Sequence, residues 1–245
     1  MNATRRRFAR GGLSLAGTLA LAGAALPLAG CGTPAQKVPA PAAAAQPPRL
    51  RNGDRWRYGL TNLYNRLPVG TLTATVLEAR PATRIGLVWS DATRPPAEEI
   101  YFEPWNIVQD PNWDRQMTFA TPQPLIPRDL IHPSTQSTGS RYRVPEDSGQ
   151  FTWTQTLFAR DWERVNVPAG SFDCLRLERR ISFQHPDLLR LRSERTETLW
   201  YAPAVSRWVQ RESTGIFWRS SLRYGGVRED WVLAQLLDYT PAPQS

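Results

Sequence analysis

The chain has 245 residues, a formal net charge of +8, ten tryptophans, two cysteines and two histidines. So few cysteines exclude a fold held together by a disulfide framework, and so few histidines leave no converging set of ligands for a zinc or copper site. The length suits one domain with a hydrophobic core, once the N-terminal targeting and linker segments are set aside.

The first 30 residues have the pattern of a secretory signal peptide. Arginines at positions 5, 6, 7 and 10 give a basic head, and residues 11–30 are small, apolar and uncharged. An uncleaved membrane anchor is the alternative, which the short, Ala- and Gly-rich apolar run disfavours. Removal of the four arginines lowers the net charge from +8 to +4, and neither this balance nor an exported compartment favours a nucleic-acid partner.

Residues 28–31, Leu-Ala-Gly-Cys, closely resemble the lipobox of bacterial lipoproteins. The resemblance implies that Cys31 becomes the first residue of the mature chain and carries a diacylglycerol in thioether linkage and a palmitate-like acyl chain. Two or more acyl chains make a stable membrane anchor, whereas one binds only marginally. Gly32 follows in place of the Asp that retains enteric lipoproteins in the inner membrane, so the resemblance favours the outer membrane, with the protein facing the periplasm.

Residues 4–8, Thr-Arg-Arg-Arg-Phe, also resemble a twin-arginine export signal, although Ala9 and Arg10 depart from that pattern. Ordinary secretion is the alternative. Residues 31–50 are assigned to the lipidated N-terminus and a tether rich in Pro and Ala, because such a composition cannot bury a core and forms a semi-rigid spacer.

From residue 51 to residue 240 the sequence predicts a single β domain, followed by a tail at 241–245. Short segments with alternating apolar and polar residues, rich in β-branched and aromatic side chains, recur along it. They cover residues 54–60, 71–77, 84–90, 99–103, 151–157, 165–183, 189–201, 207–212, 216–224 and 231–239. This pattern predicts an all-β meander in which one curved antiparallel sheet forms a half-barrel or an open barrel.

Residues 104–149 differ from the rest of the domain. They contain seven prolines and no clear strand pattern, so they are predicted to form a long crossing loop, either a lid over the sheet or a surface crossing.

The stretch 165–180 predicts a tight hairpin. Pro168 suits the second position of a turn, since its φ is fixed near −65°, and Gly170 is predicted to take a positive φ. Beyond the turn, apolar residues such as Leu177 and Ile181 alternate with charged ones, as in a half-buried strand.

The following hairpin, around residues 184–187, allows more than one register. Attraction between opposite charges favours the register that sets Glu178 opposite Arg192. In that register Arg179 and Arg195 lie on the apolar face. We interpret them as the polar mouth of a groove that meets an anionic head group; the alternative is that this end of the face is solvated and the arginines lie flat on it.

Three motifs support a family resemblance: G-D-R-W-R-Y at 53–58, V-P-A-G-S-F-D-C-L-R at 167–176 and W-Y-A-P-A-V-S-R-W-V at 200–209. They resemble a family of bacterial envelope proteins of unknown function that includes TapB-like proteins, and the likeness spans most of the domain. That family is similar in shape to the curved half-barrel of the LolA and LolB lipoprotein carriers. The resemblance therefore implies a concave face that holds apolar material.

No motif specifies catalysis. His132 and His185 each precede a proline in a predicted loop, no serine lies in a G-x-S-x-G context, and no Gly-rich phosphate loop follows a strand. The carboxylate pairs 98/99 and 161/163 are candidates for glycoside hydrolysis, but acids are common on strand surfaces. We therefore predict a non-enzymatic protein that has no metal and no cofactor.

Trp105 and Trp113 lie in the Pro-rich segment, outside the predicted strands, so they are the tryptophans most free to face a ligand or a partner. Together with Arg179 and Arg195 they are the candidate ligand-binding residues. The tryptophans within strand patterns are predicted to be core.

Three functions remain open at this point. The first is a membrane-anchored periplasmic binding lipoprotein for an apolar or amphiphilic ligand, such as a lipid, or for a protein segment. The second is an envelope scaffold or accessory subunit without a small ligand. The third is a glycan-binding or glycan-cleaving protein that uses tryptophans and carboxylates.

Replacing Cys31 by Ser is expected to abolish membrane association, because no other apolar run in the chain is long enough to anchor it. Cell fractionation with metabolic palmitate labelling measures this, and Cys174→Ser, which removes the other thiol, should remain in the membrane fraction. A Cys31→Ser protein that is cleaved from its signal but still tightly membrane-bound contradicts the assignment.

Overall fold

The computed structural model describes residues 36–46, 48–103, 105–219 and 226–243. The predicted signal peptide and the lipidation residue Cys31 lie outside the described residues. No helix in the described part of the chain is long and apolar enough to cross a membrane.

The described chain forms fourteen strands and two short 3₁₀ turns, Ala42–Ala45 and Pro203–Val205. The strands are β1 (Gln36–Lys37), β2 (Arg55–Asn62), β3 (Leu67–Glu78), β4 (Thr83–Trp89), β5 (Ala97–Phe102), β6 (Asn106–Asp110), β7 (Met117–Pro124), β8 (Ser134–Val144), β9 (Asp147–Val167), β10 (Gly170–Phe183), β11 (Arg190–Ala202), β12 (Arg207–Arg219), β13 (Val227–Arg228) and β14 (Val232–Thr240). The prediction of an all-β fold with a curved antiparallel sheet is confirmed.

The sheet closes on itself. Twelve strands follow one another in the order β9-β10-β11-β12-β14-β2-β3-β4-β5-β6-β7-β8, and β8 pairs with β9 to complete the ring. The 21-residue strand β9 makes this possible, because one of its edges pairs with β10 and the other with β8. Closure of the sheet removes the exposed strand edges that an open curved sheet retains.

Alternation along each strand points every second side chain into the barrel, where tryptophans fill much of the space. Trp56, Trp153 and Trp208 are at most 2% exposed and Trp89 is also buried, as predicted for tryptophans in strands, whereas Trp200 and Trp231 are only half-buried. Trp153 packs edge-on against Trp113 and Phe119, with ring centroids 5.2 and 4.9 Å away. The interior is therefore largely packed by side chains.

The prediction of a strandless crossing loop over 104–149 was wrong. This segment contains β6, β7, β8 and the start of β9. Its prolines lie mainly where strands end: Pro111 follows β6, Pro133 precedes β8 and Pro145 follows β8. Proline removes a ladder hydrogen bond but is tolerated at strand ends, so a high proline count marks short strands here rather than a loop.

Residues 36–46, within the segment assigned to the tether, lie against the barrel. β1 pairs with β9 through Gln36 and Arg164, and the Val38 N–H donates to the carbonyl of Trp162 at 3.0 Å. Ala44 is 5% exposed and belongs to the core. The pairing between β8 and β9 stops at Ala159, so β1 covers the stretch of β9 edge that β8 leaves free.

The up-and-down connections place the barrel's loops at two ends. One end carries the β2–β3, β4–β5, β6–β7 and β10–β11 connections, and we call it the loop end. The opposite end carries the β3–β4, β9–β10 and β11–β12 connections, and the Ala42–Ala45 turn contacts the Pro203–Val205 turn there. Gly170, in the tight β9–β10 turn, has a φ of +136°, as predicted.

The predicted register of the β10–β11 hairpin was wrong. The inner face of β10 was assigned correctly, but Leu189 and Leu191, expected on the same apolar face, are 57% and 63% exposed. Glu178 lies opposite Thr198 and not Arg192, and Arg179 lies opposite Glu197. The strands are offset by an even number of residues from the prediction, so Arg179 and Arg195 still share the inner face. The prediction weighed surface charge pairs, whereas the observed register pairs a buried arginine with a buried carboxylate.

Replacing Gly170 by Ala is expected to lower the free energy of unfolding by at least about 1 kcal/mol, because a side chain at this positive φ is strained. Urea denaturation measures the change. Gly139→Ala on β8 is the control, since the nearest atom to its Cβ would be 3.6 Å away and its backbone is not in the left-handed region. Equal stabilities of the two variants would refute the argument.

Candidate functional site

A buried ionic cluster crosses the neighbouring strands β10, β11 and β12. Arg179 is 0% exposed, and its Nη1 donates to Oε2 of Glu197 at 2.5 Å while its Nη2 donates to Oε1 of Gln155 at 2.8 Å. Arg211 donates from Nη2 to the other oxygen, Oε1, of Glu197 at 2.5 Å. One carboxylate therefore serves two guanidinium groups, and the cluster carries an excess positive charge.

Burial alone would raise the pKa of Glu197, but the charges of Arg211 and Arg179 and the Arg211 hydrogen bond outweigh it and lower the pKa to about 2. Glu197 therefore stays ionised at any physiological pH, and the ion pair is permanent in the folded protein.

A second network lies closer to the loop end. Arg195 forms an ion pair with Glu229 and places its guanidinium 4.0 Å from the ring centroid of Trp113. Arg190 reaches Glu229 at 3.2 Å and Asp114 at 3.4 Å. Both arginines are thus neutralised by carboxylates from other segments of the chain.

Asp114 also binds His185, a 4%-exposed residue whose Nε2 lies 3.0 Å from the Asp114 carboxylate. The other ring nitrogen, Nδ1, accepts the backbone N–H of Asp187 at 2.9 Å. Because Nδ1 is an acceptor, we assign the proton to Nε2, which donates to Asp114. Burial acts to raise the pKa of Asp114, but the bond from His185 and the charge of Arg195 lower it to about 2.

These networks border a cavity of about 670 Å³ at the loop end of the barrel. Its aromatic lining comes from Trp89, Trp113, Trp208 and Phe217. Its basic lining comes from Arg94, Arg190, Arg195 and Arg211, with Arg228 exposed at its edge. A mixed aromatic and charged wall suits a ligand that has both an apolar and a polar part.

A second concavity, of about 580 Å³, lies across β8, β9, β10 and β11. Hydroxyl side chains such as Ser137, Thr154, Thr156 and Ser182 line it, with Arg180 and Glu194. Its exposed residues show that it lies largely on the outer wall of the barrel.

The structure brings two of the four candidate ligand-binding residues together. Arg195 and Trp113 are stacked and both line the cavity, although Trp113 is only 4% exposed. Arg179 lies behind Glu197 and is fully buried, and Trp105 is a 2%-exposed core residue packed edge-on against Tyr101. Neither of these two borders the cavity.

Sequence reasoning missed Arg94, Arg211, Asp114 and Glu229 as cavity residues. The residues next to Asp114 and Glu229 in the sequence do not indicate a cavity. Asp114 lies in the β6–β7 loop, and Glu229 lies between β13 and β14, more than 100 positions later. For Arg211 the alternation of β12 was informative, because it places residue 211 on the same face as buried Phe217.

The candidate catalytic carboxylates are engaged in ion pairs and hydrogen bonds. Glu98 forms an ion pair with Arg84, at 2.7 Å, whereas Glu99 is buried and accepts from Arg207 at 2.6 Å. Burial acts to raise the pKa of Glu99, but Arg207 outweighs it and the pKa is lowered. In the described residues, no group of three or more His, Cys, Asp and Glu side chains is arranged to hold a metal ion.

Cys174 is buried, as expected for an inert thiol. Burial raises its pKa well above the ordinary value, which disfavours the reactive thiolate form.

Comparison with known proteins identifies solved structures with a similar fold. No protein-family model matches the sequence, and no curated protein matches it. A putative lipoprotein from Parabacteroides distasonis aligns with a TM-score of 0.51 at 12% identity, over 80% of this chain and 98% of that chain. The likeness shows a shared fold.

Two further solved structures align more weakly. One is a putative exported protein with a YmcC-like fold from Bacteroides fragilis, with a TM-score of 0.40, 12% identity, and 84% of this chain and 99% of that chain covered. The other is the hypothetical lipoprotein YmcC from Escherichia coli, with a TM-score of 0.41, 12% identity, and 83% and 91% covered.

Replacing Glu197 by Gln is expected to lower the free energy of unfolding at pH 7 by about 3 kcal/mol or more, because it leaves buried arginines without their carboxylate. The folded pKa of about 2 lies below the ordinary value of 4.5, so this contribution is complete above pH 4.5 and is lost as the pH falls towards 2. The gap between wild type and variant should therefore shrink over that window.

Urea denaturation at pH 7 and pH 3 measures both effects. Glu194→Gln on the same strand is the matched control, because Glu194 is partly exposed beside Arg192, and it should cost less than about 1 kcal/mol. Equal costs for the two variants, or a gap that does not change with pH, would contradict a permanent buried ion pair.

Proposed function

We propose that the protein is an exported, lipid-anchored, non-enzymatic binding protein that holds an apolar or amphiphilic ligand in the cavity at the loop end of its barrel. The anchor is Cys31, and the domain faces the periplasm from the outer membrane. The observation that carries the binding role is the cavity of about 670 Å³, lined by both indole rings and guanidinium groups.

The sequence supports export and anchoring through the basic head, the apolar run and the Leu-Ala-Gly-Cys box. The Parabacteroides distasonis protein with the shared fold is itself described as a putative lipoprotein. Membership of the TapB-like family is part of the proposal and is supported by the three motifs at 53–58, 167–176 and 200–209. A carrier role of the LolA and LolB kind also belongs to the proposal.

The cavity favours a ligand with two kinds of surface. Leu60, Leu72 and Trp208 supply an apolar wall, while Arg94 and Arg211 supply a cationic one. A sugar without an apolar part would leave the leucines without a partner, so the lining favours a lipid-like molecule over a glycan.

A second candidate function, an accessory subunit that binds a protein partner, is favoured by one observation. The β10–β11 connection and the start of β11 expose Leu188, Leu189 and Leu191 at 83%, 57% and 63%. Adjacent exposed leucines at one end of a barrel are unusual for a surface that meets only water.

Native mass spectrometry and lipid extraction of the domain purified from its own envelope test the binding role. The expected result is a copurifying small amphiphile that is lost from Ser213→Trp, which places an indole in the cavity, and retained by Thr73→Trp on the outer wall. Absence of any bound molecule from all three proteins, together with a stoichiometric protein partner, would replace this proposal with the accessory-subunit role.

A further inference from the structure

Arg94 differs from the other half-buried arginines that border the cavity; the exposed Arg228 at its edge, like Arg94, has no carboxylate within 4.0 Å in the described residues. Arg190, Arg195 and Arg211 each have a carboxylate oxygen within 4.0 Å. In the part of the chain that the structure describes, Arg94 has no such partner, and the one hydrogen bond of its guanidinium runs from Nη2 to the carbonyl of Pro111 at 3.1 Å. The Arg94 guanidinium is therefore not held by a direct ion pair at the wall of the cavity, although the charges of Asp110 and Asp91 act on it from a greater distance.

The position of Arg94 is fixed by an aromatic ring. Its guanidinium lies 3.9 Å from the ring centroid of Trp89, the last residue of β4, so it is held flat against the wall by a cation–π contact. The side chain is only half-buried, and one edge of the guanidinium fork remains free to donate hydrogen bonds. Such a fork is suited to bidentate binding of a carboxylate or phosphate.

Arg211 brings a second positive charge to the same wall. Because Glu197 is shared with Arg179, it neutralises only one of its two arginines. Burial lowers the pKa of Arg94, Asp110 acts to raise it, and the charge of Arg211 lowers it further. Asp110 and Asp91 thus oppose part of this repulsion, but neither has a carboxylate oxygen within 4.0 Å of the Arg94 guanidinium nitrogens.

We propose that Arg94 and Arg211 form the anion-binding part of the cavity and hold the negatively charged head group of an amphiphile whose apolar chain lies against Trp208, Leu60 and Leu72. This inference rests on the proposed binding role and names the chemistry of the ligand. An anion between the two guanidinium groups relieves their mutual repulsion, and the adjacent leucines and indole bury the chain. Arg195, which the sequence suggested for this task, is already satisfied by Glu229.

Two probes with the same chain and the same heavy atom separate charge from apolar contact. 11-Bromoundecanoate and 11-bromoundecanol differ only in the head group, and bromine quenches tryptophan fluorescence on contact. Trp89, Trp113 and Trp208 all border the cavity, so occupancy should be seen as saturable quenching. We expect the carboxylate probe to bind at least tenfold more tightly than the alcohol.

Arg94→Gln should weaken binding of 11-bromoundecanoate by about 10- to 100-fold, the range for a hydrogen bond to a charged group, and leave the alcohol unchanged. Arg94→Lys, which keeps the charge but loses the fork, should fall between wild type and Arg94→Gln. Arg57→Gln, which removes an exposed arginine on β2, is the matched control and should bind both probes normally.

Equal binding of both probes, with no effect of Arg94→Gln, would overturn the anion site but leave a cavity for apolar ligands. Displacement of 11-bromoundecanoate by acetate at equal concentration would show a site for small anions and overturn the amphiphile. Quenching by neither probe would overturn both this inference and the proposed binding role. Melting temperatures of each variant, matched to wild type, establish that any loss of binding is local.

Discussion

The Glu197 carboxylate is the contact on which the rest of this barrel depends. It receives Arg179 from β10 and Arg211 from β12, so a single residue of β11 ties three neighbouring strands. A buried charge without a partner is costly, so these strands pair only where the three side chains meet. The ion pair thus specifies a register that the apolar residues alone leave open, since an even shift keeps the same face inward.

The same contact sets the character of the cavity. Because Glu197 is divided between two guanidinium groups, positive charge remains on the cavity side of the cluster, at Arg211. Arg190 and Arg195 are paired with the distant acids Asp114 and Glu229, so among the half-buried arginines of the wall only Arg94 has no direct ion pair in the described residues. The result is a mostly neutral, partly apolar cavity that has a localised cationic wall.

Local patterns in the sequence were sufficient for the strands outside residues 104–149 and for the side of the sheet on which most of their residues lie. The period of two in β9 to β12, the turn at Pro168 and Gly170, and the inward direction of Arg179 and Arg195 were all predictable. Each depends on residues close together in the chain, where steric and solvation effects act without knowledge of the fold.

The predictions that were wrong concern features that depend on contacts between residues far apart in the sequence. Arg207 and Glu99, for instance, are 108 positions apart, and no local pattern pairs them. The hairpin register was inferred from surface charge pairs worth at most about 1 kcal/mol, and a buried arginine–carboxylate pair outweighs them. The Pro-rich segment was predicted as a loop because prolines were counted without regard to position, and the location of Trp113 at the cavity depends on how that segment joins the ring.

The short strand β1 affects whether copies of this protein can associate through their strand edges. The pairing of β8 with β9 ends at Ala159, and in the described part of the chain residues 36–38 pair with the edge of β9 beyond it, at residues 162–164. An uncovered edge is a template on which another chain can add a strand. Strand β1 therefore occupies the edge of β9 and competes with a strand from another copy for the same backbone hydrogen bonds. A domain cut back to residue 51 loses that competitor and leaves self-association through β9 unopposed.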